Sequence, residues 1–160
     1  MASSSQYAPG ERRPLRAYAL ITFAFNAAFA AFSFVRSRSR RPLPNRIPPS
    51  DIALLSVGTF KLSRLITKDK ATSFLRAPFT RYQGPAGRSE VEEAPRGGGL
   101  RRAVGELLVC PYCIGQWVAG GLLGAYLWWP RAVRAVTSML AIVVAADYLQ
   151  QAWNVVARRA

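Results

Sequence analysis

From Leu107 to Trp129 the chain reads LLVCPYCIGQWVAGGLLGAYLWW, 23 residues without a charge. A helix rises about 1.5 Å per residue, so a stretch of this length reaches across a hydrocarbon core of about 30 Å, with Pro111 delaying or kinking its start. The sequence thus points to a membrane protein before it points to any chemistry. Composition agrees, because apolar residues make up 51% of the chain and charged ones only 19%, with the apolar residues gathered into blocks.

Residues 1–16 are small and polar around Pro9, Gly10 and Pro14, and read as a disordered head. Residues 17–35 run without a charge between arginines on both sides, the pattern of a first transmembrane helix. A secretory signal peptide is the competing reading, since Ala28-Phe29-Ala30 resembles a cleavage site, but the apolar run beyond it and the arginines that follow have the form of a stop-transfer signal. Residues 36–50 make a basic, proline-rich, extended connector. Asp51 stands where an N-cap belongs, ahead of an amphipathic helix over 51–68. On its wheel Leu54, Leu55, Gly58, Leu62, Leu65 and Ile66 share one face, while Lys61 and Arg64 interrupt the interior. This predicts a helix in the membrane interface; the alternative is a short tilted span whose polar face packs on other helices. Residues 80–100 read as a loop, with Gly84-Pro85, the acids Glu90, Glu92 and Glu93, and a triple glycine that lacks phosphate-loop spacing and so serves as linker. The segments 107–129 and 133–157 complete the set. The expected fold class is an all-α membrane protein with about three transmembrane helices plus one amphipathic interfacial helix.

The formal charge is +14, and 15 of the 22 basic residues lie from Arg36 to Arg102. With 51–66 in the interface, that whole stretch and the carboxyl end share one side, giving 17 basic residues against 5 and a cytoplasmic loop with the amino end outside. Basic residues set between hydrophobic blocks favour anionic lipid as a partner and make nucleic acid the weaker candidate. No histidine is present, which excludes histidine-based catalysis within this chain.

Cys110 and Cys113 are the redox candidates. A link between them closes too small a loop to staple a fold, so the spacing leaves the redox compartment open. Cys110-Pro111-Tyr112-Cys113 matches the glutaredoxin active-site tetrapeptide, yet nothing before it reads as the soluble α/β domain in which that family sets it. A metal would require further ligands, from Glu106 or a second copy of the chain. The plain alternative is that both thiols pack at a helix start. Gly120 and Gly124, with Gly121 and Ala125 on an adjoining stripe, make a helix-packing face against this chain or a second subunit. Asp147 is the one acid inside a hydrophobic segment; Arg102, Arg64 or Lys61 is its expected partner, in a structural ion pair or a relay.

Two stretches, Phe60-Lys61-Leu62-Ser63-Arg64-Leu65-Ile66-Thr67-Lys68-Asp69 followed by Arg76-Ala77-Pro78-Phe79, and Gly105-Glu106-Leu107-Leu108 running into Cys110-Pro111-Tyr112-Cys113-Ile114-Gly115-Gln116-Trp117, give a further lead. On them the chain resembles a family of small bacterial membrane proteins known as a domain of unknown function, across roughly Asp51 to Tyr126. The resemblance implies that Arg64, Asp69, Arg76, Glu106, both cysteines, Gly115 and Trp117 belong to the family pattern. It also implies a multi-pass protein of the bacterial inner membrane, with some members in sporulating bacteria, and supplies no reaction or cofactor. The mixed charges predict that Asp69 or Glu106 pairs with Arg64 or Arg76.

The expected function is a non-enzymatic structural or accessory subunit that packs with itself or other integral membrane proteins, and no cofactor is expected. A membrane thiol/disulfide or metal-holding protein using Cys110 and Cys113, and a transporter or channel component with Asp147 in a hydrated cavity, are the alternatives.

Overall fold

Prolines stand at the start of the four longest helices. Because the first N–H groups of a helix have no acceptor within it, proline costs little there and its fixed φ suits the first turn. In the computed structural model, which describes residues 13–39 and 43–159, Pro14 precedes α1 (Leu15–Arg38) and Pro49 opens α2 (Pro49–Thr67). After the short α3 (Ser73–Arg76) come two strands, β1 (Thr80–Gly87) and β2 (Glu90–Pro95), then α4 (Gly99–Val109). Pro111 opens α5 (Pro111–Trp128) and Pro130 opens α6 (Pro130–Ala157). The head expected over 1–16 falls mainly outside the described residues, as does the middle of the connector.

α1 and α6 are each long and apolar enough to cross a membrane, and the α4 and α5 pair is so as well when taken as one broken or re-entrant span. The chain is therefore mostly helical, with two to three long apolar helices beside additional ones. The segment 107–129 is not one helix. Pro111 disfavours helical geometry at the residue before it, and Cys110 is extended with φ −110 and ψ 106. The axis turns there by 84°.

Two compact units form, Met1–Arg40 with Leu65–Ile114, and Arg41–Arg64 with Gly115–Ala160. The first contains an antiparallel hairpin in register from Thr80↔Pro95 to Gly87↔Glu90, turning at Arg88 and Ser89, where Ser89 has φ 61. Register shifts fall at Tyr82/Gly84 and Pro85/Gly87, which is where a strand tolerates proline. Residues 68–70 run along β2, with Val91 N–H donating to the Lys68 carbonyl at 2.9 Å and Lys70 N–H to that of Ser89 at 2.8 Å.

A hairpin stands where the sequence predicts a loop over 80–100. Its inward side chains are Thr80, Val91 and Glu93, only one of them apolar, so no alternation of apolar and polar residues announces it.

α4 packs on the base of this hairpin through Ala103, 2% exposed, and Gly105. A Cβ on Gly105 would stand 2.6 Å from the Phe79 carbonyl oxygen and 3.2 Å from Pro95 Cβ. α1 joins the same unit, its Tyr18 hydroxyl donating to Glu106 on α4.

In the second unit α2 packs between α5 and α6. Its buried residues include Asp51, Gly58 and Ser63, whereas Ile52 and Phe60 are exposed. A Cβ on Gly58 would lie 2.8 Å from Thr137 Cγ2 on α6 and 3.7 Å from Leu122 Cδ1 on α5, so glycine lets three helices meet. The expected apolar stripe of α2 is thus not what is most deeply buried; its small and polar residues are.

Replacing Gly105 by alanine drives a methyl into backbone, which gives way less readily than a side chain. Gly105→Ala is expected to lower stability by about 1–3 kcal/mol, read as a fall in melting temperature in detergent. Gly121→Ala, which meets open space, leaves it unchanged or slightly higher.

Candidate functional site

α3 is only four residues long, and its last residue, Arg76, is 0% exposed. A guanidinium so placed needs all five donors matched. Nε and Nη2 bind the two carboxylate oxygens of Glu93 at 2.9 and 3.1 Å, a bidentate pair. Nη1 donates to the Ile66 carbonyl at 2.7 Å and to Thr72 Oγ1 at 2.8 Å, and Nη2 also to the Asp69 carbonyl at 2.9 Å. Thr80 Oγ1 donates to Glu93 at 2.9 Å. Arg76 therefore gathers the end of α2, the turn after it and β2 around one cation. With every donor engaged by the protein, it offers nothing further to an anionic ligand.

Asp69 serves the same turn, its carboxylate accepting the Ala71 N–H at 2.7 Å. Glu106 accepts Arg102 Nε at 3.0 Å, one helical turn away, together with the Tyr18 hydroxyl. The expected pairing of Asp69 or Glu106 with Arg76 is corrected accordingly. Arg76 takes its carboxylate from Glu93 and reaches Asp69 only through the backbone, because β2 brings Glu93 against it from 17 residues away. Arg64 is half-buried on α2.

In the second unit Lys61 Nζ lies 2.5 Å from Asp147, joining α2 to α6 and selecting one of the three expected partners. Asp51 is not an N-cap. The helix begins two residues earlier at Pro49, which frees the Asp51 carboxylate to accept Arg134 Nε at 2.9 Å, Arg134 Nη2 at 2.6 Å and the Tyr126 hydroxyl at 2.5 Å. Thus α2, α5 and α6 share a buried carboxylate. Gly115 lies beside Ser63, whose Oγ would be 3.8 Å from an added Cβ. Trp117, Gly120 and Gly124 are half-buried along α5.

Cys110 and Cys113 are joined in a disulfide at the start of α5, with Cα atoms 5.2 Å apart. The Cys113 N–H points at Cys110 Sγ, 3.2 Å away. Cys113 is exposed and Tyr112 is 91% exposed, so this end of α5 is open to approach. Among the described residues no three His, Cys, Asp or Glu side chains come together in a way that could hold a metal ion. A groove of about 630 Å³ lies beside the hairpin, lined in part by Lys70, Phe74, Tyr82 and Glu90.

Sequence reasoning missed Glu93, Thr80 and Thr72 around Arg76, and Tyr126 and Arg134 around Asp51. The one available signal was Arg134 within the last apolar segment, a charge that must be answered inside a membrane bundle. Glu93 carried none, since it reads as one of three acids in a polar linker.

The elements and charges define a multi-pass helical membrane protein carrying a basic, salt-bridged extramembrane loop with eight Lys and Arg against four Asp and Glu from Lys68 to Arg102. Residues 54–153 match the family described as Protein of unknown function (DUF1360), and the chain belongs to it. The match runs from α2 into α6, so both the Arg76 cluster and the Asp51 cluster's helices fall within it and α1 does not. The chain is also 33% identical over 102 residues to the sporulation protein YjcA of Bacillus subtilis (strain 168), an alignment covering 62% of this chain and 86% of that protein. No solved structure matches.

Removing one partner of the buried pair leaves the other charge uncompensated. Glu93→Gln and Arg76→Lys are each expected to cost about 3–5 kcal/mol, and lysine fails because it cannot fill the bidentate fork. Limited proteolysis should then cut between residues 80 and 96 in the variants, while the exposed-pair variant Glu92→Gln remains as resistant as the natural chain.

Proposed function

We propose that this protein is a non-enzymatic accessory subunit of a membrane assembly, anchored by its helices and presenting the salt-bridged hairpin as a rigid module outside the bilayer. One observation carries the reading: charged residues of the family pattern are engaged in holding elements together, Arg76 with Glu93 and three oxygens of the preceding turn, Glu106 with Arg102 and Tyr18. Residues arranged for chemistry keep a donor or acceptor for the substrate; these keep the hairpin in one shape. The small residues of α5 support contact with a further helix, since Gly121 has nothing within 4 Å of its added Cβ. The exposed basic residues of the hairpin favour anionic headgroups or an acidic partner. Similarity to a protein named for sporulation supports a role in the membranes of a sporulating cell.

Native mass spectrometry from nanodiscs is expected to find the chain as an oligomer or with a copurifying membrane protein, and Gly121→Leu should lower that fraction without unfolding the chain. A monomer alone at every protein-to-lipid ratio would overturn the proposal.

A second reading, exchange of disulfides with a partner thiol, is favoured by the exposed Cys113 and by the backbone N–H directed at Cys110 Sγ, an environment that supports a thiolate. On this reading the pair cycles in the cell. Trapping with an alkylating reagent should find both bonded and open forms, and Cys113→Ser should accumulate a mixed disulfide through Cys110. A pair found wholly in one state under oxidising and reducing growth ends that reading and leaves the first untouched.

A further inference from the structure

The contacts of α2 do not suit a helix lying flat in the headgroup plane. Along α6 they fall at Arg134 from Asp51, at Thr137 from Gly58 and at Asp147 from Lys61, in the same order on both helices. Along α5 they fall at Tyr126 from Asp51, at Leu122 from Gly58 and at Gly115 from Ser63, in the reverse order. α2 thus runs parallel to α6 and antiparallel to α5. Arg134 and Asp147 are 13 residues apart, about 20 Å along a helix. A helix in the interface crosses a membrane span at one depth and cannot touch it at two levels that far apart. α2 has 19 residues, about 28 Å of helix, which matches a hydrocarbon core of about 30 Å.

We propose that α2 is itself a membrane-spanning helix whose polar face is answered by α5 and α6 and whose outward Ile52 and Phe60 meet lipid acyl chains. Those side chains are 52% and 48% exposed, and α6 presents Met139 and Ile142, 55% and 70% exposed, in the same unit. Two of the charges on α2 are answered by the neighbouring helices: Asp51 by Arg134 and Tyr126, and Lys61 by Asp147. Large apolar residues outward and small or charged residues inward is the distribution lipid demands.

The topology follows from chain order. α2 ends where the hairpin begins, and α5 starts where α4 ends, so the hairpin stands on one face of the membrane and the connector before α2 on the other. Tyr18, near the start of α1, donates to Glu106, four residues before the Cys110 break, which sets the amino end of α1 on the hairpin face as well. Among the described residues that face carries 12 Lys and Arg outside the helical cores, counting Arg13, Arg16, the eight from Lys68 to Arg102, Arg158 and Arg159, against Arg36, Arg38, Arg46 and Arg131 on the other. The hairpin face is cytoplasmic. Four spans result, with both ends and the hairpin inside, and the arginine- and proline-rich connector outside.

The flat arrangement of α2 puts the connector inside and the amino end outside, so two measurements on the full chain separate them. In intact cells an impermeant maleimide should label Asn45→Cys, while Gln83→Cys takes up label only after permeabilisation and the natural chain, its two cysteines bonded to each other, takes up none from outside. A green fluorescent protein fused to the amino end should fluoresce, as it does when it stays in the cytoplasm. Asn45→Cys silent until permeabilisation, a natural chain labelled from outside, or a dark amino-terminal fusion of normal abundance would each overturn the proposal.

Discussion

The first unit depends on one buried cation. Arg76 is withdrawn from water, and the hydration it loses is replaced by five donated bonds to Glu93, Thr72 and the carbonyls of Ile66 and Asp69. A hydrophobic core could not hold this hairpin, because Val91 is the one apolar side chain that its strands bury. The geometry therefore has to be specified by direction, and a bidentate guanidinium and carboxylate pair is directional in a way that apolar contact is not. The end of α2, the turn at 68–72, α3 and β2 take their mutual positions from it.

The second unit solves a different problem. Within hydrocarbon, large apolar side chains gain nothing by leaving lipid for protein, so helix association rests on close approach and on polar pairing. α2 shows both, with Gly58 against Thr137 and Leu122, and with Asp51 and Lys61 turned toward α5 and α6. A carboxylate shared by Arg134 and Tyr126 near one end of α2 and a lysine paired with Asp147 further along it allow one register among the three helices. Sliding any helix by a turn would strand a charge.

These two solutions explain why the charged side chains of the two clusters offer so little visible chemistry. The family match from 54 to 153 spans the turn that Arg76 fastens, the hairpin and the helices that Asp51 joins. Its polar residues are arranged to define shape. The disulfide at the Cys110 break is the exception. It stands at an exposed helix start and fastens nothing distant, since it links residues only three apart.

How much of this was legible in the sequence follows from the range of each interaction. The charge-free blocks at 17–35 and 107–129, with the largely apolar stretch 133–157, determined by themselves that the chain belongs in a membrane, since solvation of a whole segment is a sum over its own residues. Pro111 marked a break at the start of a helix for the same local reason, and the helix at Asp51 was visible in its period. The hairpin was not, because its stability comes from Glu93 meeting Arg76 across 17 residues and leaves no alternation behind. Asp51 looked like a cap until α5 and α6 brought Tyr126 and Arg134 to it. Which charge answers which, and which face of α2 turns inward, are properties of segments far apart in the chain meeting at a few ångströms, and only the tertiary structure decides them.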